Sequence, residues 1–285
     1  MKTSFLNDLS SSFCLFIDHE ICFGAEGFVN IESGQLYSSY DPLFDSKVIY
    51  QSSYRQWVAD GSITGVGGTL PLSVNSGNYE ISKGEYGLKI DYGMGRVFFD
   101  ATGVNSNLSD FTANFARKEF NVFLTSLDEA SLILQEPEYY SSFTTGVPVG
   151  EQPYPLIYVK HFYGKNDPFA FGGLDESTYD FRCTILSDNA FKLDTIGSVL
   201  QDSSRKSFPV LPSSGIPFTV YGDYKDATPY NYFQSCLDFG DRLAYINDVS
   251  VSKFDEKINK LIKDNVWGGF VDFNVSIIRM PRENI

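Results

Sequence analysis

The clearest pattern in this chain is the alternation of apolar and polar residues, which predicts β-strands. It runs through 86–92 and 270–278 and through the shorter segment 96–99. The glycines of Gly93-Met94-Gly95 can adopt the positive φ angles that a tight turn requires. We therefore predict a β-hairpin over 90–99.

The first sixty residues predict strands less clearly. Apolar runs at 13–17, 21–23 and 28–31 are broken by Gly24 and Gly27, and we interpret them as three short strands. The following stretch, 61–78, contains five glycines and predicts a mobile loop or a hairpin.

The second half of the chain adds helical spacing to its strands. Leu193, Ile196 and Leu200 recur at i, i+3 and i+7, which predicts an amphipathic helix that packs on a sheet. Asp188 is the expected cap of this helix. A second helix is predicted over 252–264. Strands followed by helices in this way indicate an α+β layer.

A proline-rich stretch divides the chain. Four prolines lie between 137 and 155, and proline at this density can continue neither a helix nor a central strand. We predict a β-rich domain at 1–135, a linker or arm at 136–155, and an α+β domain at 156–285. The fold class is β-rich α+β: an N-terminal β-sandwich or barrel-like unit, followed by an antiparallel sheet packed with two helices.

Composition and charge narrow the possible partners. The chain carries 25 Phe and 18 Tyr, residues that suit the half-buried surface of a sheet. Its net charge of −14 disfavours tight binding to nucleic acid and to anionic membranes. No stretch approaches the ~18 apolar residues of a spanning helix, so we expect no membrane segment.

The residue types that usually carry catalysis are scarce. The two histidines are His19 and His161, and neither lies in a recognisable catalytic motif. Cys14, His19 and Cys22 could suggest a metal, but strand alternation would place His19 on the opposite face from the two thiols. We expect no metal and no cofactor, reduced thiols, and a protein that is not an enzyme.

Two segments carry a resemblance to tailed-bacteriophage virion proteins. One is Ile90-Asp-Tyr-Gly-Met-Gly-Arg-Val-Phe-Phe99 with the aromatic stretch 111–124 after it. The other is Tyr179-Asp-Phe-Arg-Cys-Thr-Ile-Leu-Ser-Asp188 with the helix at 189–202, which is similar to the strand-into-helix element of tail-terminator-like and neck proteins. The resemblance implies a non-enzymatic structural subunit that forms a homo-oligomeric ring at the neck or head–tail junction. It also implies contacts with neighbouring portal, neck or tail proteins, and a location in the virion after synthesis in the host cytoplasm.

Aromatic side chains crowd the proline-rich stretch and the strand after it, where an arm would meet its neighbour. Large rigid rings are enriched at the centres of protein contacts. The predicted subunit-contact residues are Tyr139, Tyr140, Phe143, Tyr154, Tyr158, Phe162 and Tyr163. Ordinary sheet packing explains these rings equally well. An alternative function is a carbohydrate- or receptor-binding module of a tail fibre or adhesin, and a third is a hydrolase.

Overall fold

The computed structural model describes residues 5–101, 110–132, 154–170, 173–219, 223–225, 229–255, 258, 262 and 266–279. Within them two curled sheets and a few helices form the β-rich α+β fold that the sequence predicts. The helices are α1 Phe5–His19, α2 Ala190–Gln201 and α3 Tyr232–Asp238. The strands are β1 Phe28–Ser39, β2 Lys47–Ser52, β3 Ser73–Ser76, β4 Tyr79–Ser82, β5 Lys89–Asp91, β6 Arg96–Asp100, β7 Phe111–Lys118, β8 Asn121–Leu124, β9 Leu156–Ala170, β10 Leu174–Ser187, β11 Ser207–Pro209, β12 Leu243–Lys253 and β13 Trp267–Arg279.

The first sheet has seven antiparallel strands in the order β4-β3-β7-β1-β2-β6-β5. The predicted hairpin at 90–99 is confirmed, since Ile90 pairs with Val97 between β5 and β6. Gly95 has a φ of +61°, and an added Cβ there would lie 2.2 Å from the backbone oxygen of Tyr54. The stretch 61–78 begins with a 3₁₀ turn at Gly61–Val66. Further along, the hairpin interpretation holds for β3, which pairs with β4.

The second sheet has six strands in the order β11-β12-β13-β10-β9-β8. β10 and β13 pair along their whole length, from Asp175↔Arg279 to Ser187↔Trp267. The stretch 111–124 forms two strands, and they belong to different sheets. β7 lies in the first sheet, whereas β8 pairs in parallel with the start of β9.

The strands predicted at 13–17 and 21–23 are wrong, because residues 5–19 form helix α1 and Glu20–Gly24 continue it as a π-helical turn. Leu9, Phe13, Phe16 and Ile17 recur at i, i+4, i+7 and i+8, and all four are buried. This stripe is the period of an amphipathic helix. A helix forms here despite the local β-propensity, because the apolar stripe of α1 packs against the second sheet.

Helix α2 confirms the prediction for 189–202, with Leu193, Ile196 and Leu200 buried on one side. The cap is one residue later than expected, since the side chain of Asn189 accepts a hydrogen bond from Phe191 N at 2.8 Å. The helix predicted over 252–264 begins too early, because Ser252 and Lys253 still belong to β12. Most of its remaining residues lie outside the described part of the chain.

One hydrophobic core joins the two halves of the chain. Phe13 of α1 stacks on Phe181 of the second sheet, with ring centroids 4.5 Å apart, and meets Phe273 edge-to-face at 5.0 Å. Helix α1 and strand β8 precede the predicted boundary, yet both pack into the sheet that follows it. The stretch 136–155 lies mostly outside the described residues, and the domain division remains a prediction.

Candidate functional site

A buried polar cluster lies where α1 ends. His19 Nδ1 is 2.7 Å from Asp60 Oδ2, and the Ser62 hydroxyl donates a hydrogen bond of 2.7 Å to the same oxygen. All three residues are buried. The cluster brings together three residue types that serve nucleophilic catalysis, so its geometry decides whether it is an active site.

Local turn chemistry positions the carboxylate. Asp60 precedes the 3₁₀ turn Gly61–Val66, and its Oδ1 accepts from Ser62 N as an N-terminal cap. The same oxygen accepts from Tyr232 N at 3.0 Å, and Gly61 N donates to Tyr230 O at 2.6 Å. The turn is therefore held both by its own cap and by the start of α3.

The Asp60 carboxylate has no capacity left for a ligand. It accepts from His19, from the backbone and hydroxyl of Ser62, and from Tyr232 N, and these bonds use about all four lone-pair sites. Burial opposes ionisation of Asp60, but the hydrogen bonds from His19 and Ser62 outweigh it and keep the pKa below the ordinary value. The carboxylate is therefore ionised at neutral pH.

The cluster does not have the geometry of a catalytic triad. An ionised Asp60 can only accept, so Nδ1 of His19 carries the proton in that bond. Ser62 Oγ lies 3.3 Å from the same Nδ1, whereas a triad places serine at Nε2. Ser62 also donates its proton to Asp60. The hydroxyl thus faces a carboxylate that already accepts several hydrogen bonds and not an unprotonated histidine nitrogen, and the cluster joins α1, the turn and α3.

Aromatic rings enclose the histidine. Its ring stacks on Tyr232, with centroids 4.2 Å apart and an angle of 18°, and lies nearly parallel to Phe23 at 5.5 Å. Phe233 meets it edge-on at 5.0 Å. These contacts fix the orientation of the imidazole within a packed apolar shell.

A second polar group lies beside this cluster, on the side of α1 that faces β7. Lys118 of β7 forms an ion pair with Asp18, and both side chains are mostly buried. Burial disfavours the ammonium, but Asp18, Cys22 and Asp60 together outweigh that effect and raise the pKa of Lys118. A cavity of about 280 Å³ adjoins the pair and is lined in part by Cys14, Asp60 and Tyr230. This is small for a ligand pocket, since such pockets usually exceed about 300 Å³.

The helical geometry of α1 revises the arrangement expected for Cys14, His19 and Cys22. Positions 14, 18 and 22 are four residues apart and lie on one helix face, so the two thiols accompany Asp18 and not His19. Among the residues that the structure describes, no group of three or more His, Cys, Asp or Glu side chains is placed to hold a metal ion.

We expect the native thiols to react slowly. Burial, with a contribution from Asp18, raises the pKa of Cys14 to about 12, and burial raises the pKa values of Cys22 and Cys183 well above their ordinary value. Since the thiolate is the reactive form, an aromatic disulfide reagent at pH 8 should titrate fewer than four thiols in native protein. All four should react in guanidinium. Four fast thiols in the native protein would contradict these burials.

The predicted subunit-contact residues fall into three groups. Tyr139, Tyr140 and Phe143 lie outside the described residues. Tyr154 and Tyr158 are half-buried and pack against a small cluster that includes Phe254. Phe162 and Tyr163 are 53% and 52% exposed on β9.

The exposed pair lies on a free sheet edge. β8 pairs with β9 over Leu156–Val159 only, and no other described strand covers that side of β9. Within the described part of the chain, residues 160–170 therefore have no partner strand on that side. Phe169, which the sequence analysis did not select, is 56% exposed on this edge. The sequence shows that residue 169 is aromatic, but it does not show that β9 extends as far as this residue.

Comparison with known proteins adds no assignment. No family model matches the sequence, and no curated protein matches it. Among the described helices none is long and apolar enough to cross a membrane.

Proposed function

We propose that this chain is a structural subunit that assembles with copies of itself in the virion of a tailed phage. The observation that carries the self-assembly is the free edge of β9, where Phe162, Tyr163 and Phe169 are each more than half exposed. An edge strand with unpaired backbone groups is a template for pairing with another chain. Exposed aromatic rings beside such an edge add contact area at low entropic cost.

The virion assignment rests on the sequence resemblance of 90–99, 111–124 and 179–202. The neck or head–tail position, and the ring, belong to the same proposal. The acidic net charge of −14 supports it, because an acidic ring does not hold a passing duplex tightly.

A second candidate is a carbohydrate- or receptor-binding module, favoured by the outer face of the second sheet. Arg182 donates two hydrogen bonds to Asp272, at 2.6 and 3.0 Å, and lies over the rings of Phe162 and Phe270. Asn274 donates to Asp180 on the same face at 2.7 Å. Planar polar groups beside aromatic rings provide the few oriented contacts that a small polar ligand needs.

The double substitution F162S/Y163S tests self-assembly. Both rings are exposed, so we expect the melting temperature to change by less than about 2 °C, since surface substitutions alter stability by within ~0.5 kcal/mol. The oligomer measured by light scattering should shift towards monomer at the same concentration. Leu43→Ala, at an 84% exposed side chain distant in sequence from β9, is the control.

The outcomes separate the two candidates. Rings of six or twelve in electron micrographs agree with a neck subunit, and trimers agree with a fibre. A wild-type chain that stays monomeric at all concentrations contradicts self-assembly. Oligosaccharide binding by that monomer, lost in Asp272→Ala, would favour the second candidate.

A further inference from the structure

The free part of β9 has a short regular segment at its centre. The pairing of β9 with β10 shifts register between Asp180 and Phe181 and again between Leu174 and Asp175. Between these two irregularities, residues 163–168 pair without interruption, from Tyr163↔Asp180 to Pro168↔Asp175. Pro168 lacks an N–H group, which a strand tolerates at an edge.

The side chains of this segment divide between the two faces of the sheet. Asn166 lies near Arg279 on the face that carries Tyr179, and Gly164 is packed against the Tyr179 ring. Alternation then places Tyr163, Lys165 and Asp167 together on the other face. The Lys165 ammonium is 2.8 Å from the Asp167 carboxylate, and both groups are about half exposed.

We propose that β9 pairs antiparallel with β9 of a second copy of this chain, about a two-fold axis at Asn166. This inference rests on the self-assembly proposed above and names its contact. In this register Lys165 of each copy lies opposite Asp167 of the other. Opposite charges directly across two strands stabilise a sheet.

The charges select this register over its neighbours. When two copies of a strand pair antiparallel, hydrogen-bonded residues must face hydrogen-bonded residues. The two-fold axis therefore lies between the two copies of one residue, which face each other directly. An axis at Lys165 would place two ammonium groups opposite each other. An axis at Asp167 would oppose two carboxylates. Only the axis at Asn166 makes both pairs of charges attractive within this segment.

The same strand carries features that protect edges from pairing. Lysine, proline and β-bulges all discourage edge-to-edge association, and β9 has each of them. An edge that pairs and an edge that is protected differ in the partner of Lys165. If the edge pairs, Lys165 meets Asp167 of the second copy. The symmetry of the contact also has a consequence: it joins copies two by two, so a ring needs a second contact between such pairs, and a trimer would contradict the pairing.

Cysteine cross-linking tests the register. Directly opposite residues have Cα atoms about 4.5–5.5 Å apart, which a disulfide spans, whereas diagonal neighbours are about 7–8 Å apart. Under a mild oxidant, Asn166→Cys should form a covalent dimer in most chains. Lys165→Cys alone should stay near the background of the wild-type chain with its native thiols. A mixture of Lys165→Cys and Asp167→Cys chains should cross-link again.

Charge exchange is the second measurement. Lys165→Asp alone, or Asp167→Lys alone, should weaken dimerisation about tenfold, and the two changes together should restore it. Oligomers by light scattering without cross-linking of Asn166→Cys would overturn the edge pairing and leave self-assembly intact. A monomer at every concentration would remove both proposals.

Discussion

Phe13→Ala should destabilise the protein by about 3–5 kcal/mol, because it removes a fully buried ring from the joint between α1 and the second sheet. The ring lies within 5.5 Å of those of Phe181, Phe208 and Phe273, which belong to β10, β11 and β13. No small rearrangement can fill a space bounded by three strands. Urea unfolding followed by circular dichroism measures the loss, and the melting temperature should fall by roughly 6–10 °C.

The control for this change is Phe191→Ala. Phe191 is also an aromatic residue on a helix, but its side chain is 82% exposed, so the loss should stay within about 0.5 kcal/mol. Equal losses from the two substitutions would show that α1 does not form part of the core. A melting temperature of Phe13→Ala equal to that of the wild type would lead to the same conclusion.

Asp60→Ala should have an effect of similar size for a different reason. It removes the acceptor of four hydrogen bonds and leaves the donors on His19, Ser62 and Tyr232 buried without it. Removing one partner of a buried, hydrogen-bonded charged pair lowers the free energy of unfolding by about 3–5 kcal/mol. Asp60→Asn keeps the shape and one acceptor oxygen, so we expect a smaller loss of about 1–2 kcal/mol.

The contribution of Asp60 to the stability of the fold should decrease at low pH. The pKa of Asp60 is lower in the folded protein than its ordinary value of about 3.9. Its stabilising effect is therefore complete above about pH 4 and is lost as the pH falls through the folded pKa. The difference in unfolding free energy between wild type and Asp60→Asn should shrink as the pH falls below about 4.

Asp248→Ala serves as the matched control, because Asp248 is exposed on β12. It should alter stability by no more than about 0.5 kcal/mol at pH 7. If Asp60→Ala is equally mild, the cluster at the end of α1 does not hold the fold together.

Local patterns were sufficient for much of the sheet structure. The hairpin at 90–99 has alternation on both strands and glycines in its turn, so sequence and backbone conformation agree within ten residues. The stripe of α2 is equally local. The partners of these elements were not predictable, because sheet order depends on contacts across the whole chain. β7 and β8 show this, since two neighbouring segments enter different sheets.

Helix α1 shows why a strong local signal can mislead. The run at 13–17 is aromatic and β-branched, and in a short window such a run favours a strand. Its helical period appears only when Leu9 and Ile21 are included, which extends the stripe over thirteen residues. A longer window would have found the helix. The π-helical turn at Glu20–Gly24 had no comparable signal.

The buried cluster was out of reach of sequence reasoning for a simple reason. His19 and Asp60 are 41 residues apart, and Tyr232 follows 172 residues after Asp60. The run Asp60-Gly61-Ser62 does carry a turn signal, because aspartate often bonds a backbone amide two residues later. That signal identifies the cap. It does not identify the histidine or the helix that complete the site.

The long sequence separation between α1 and its partners has a consequence during synthesis. Ser12 Oγ accepts from Leu211 N, and Phe13 meets Phe273 edge-to-face, although Phe273 follows it by 260 residues. At a synthesis rate of about 5–20 residues per second, the apolar stripe of α1 leaves the ribosome roughly 13–50 s before its last partner is made. Until then the sheet that covers the helix is incomplete. The nascent chain must keep the apolar stripe of α1 away from other chains until β13 is made.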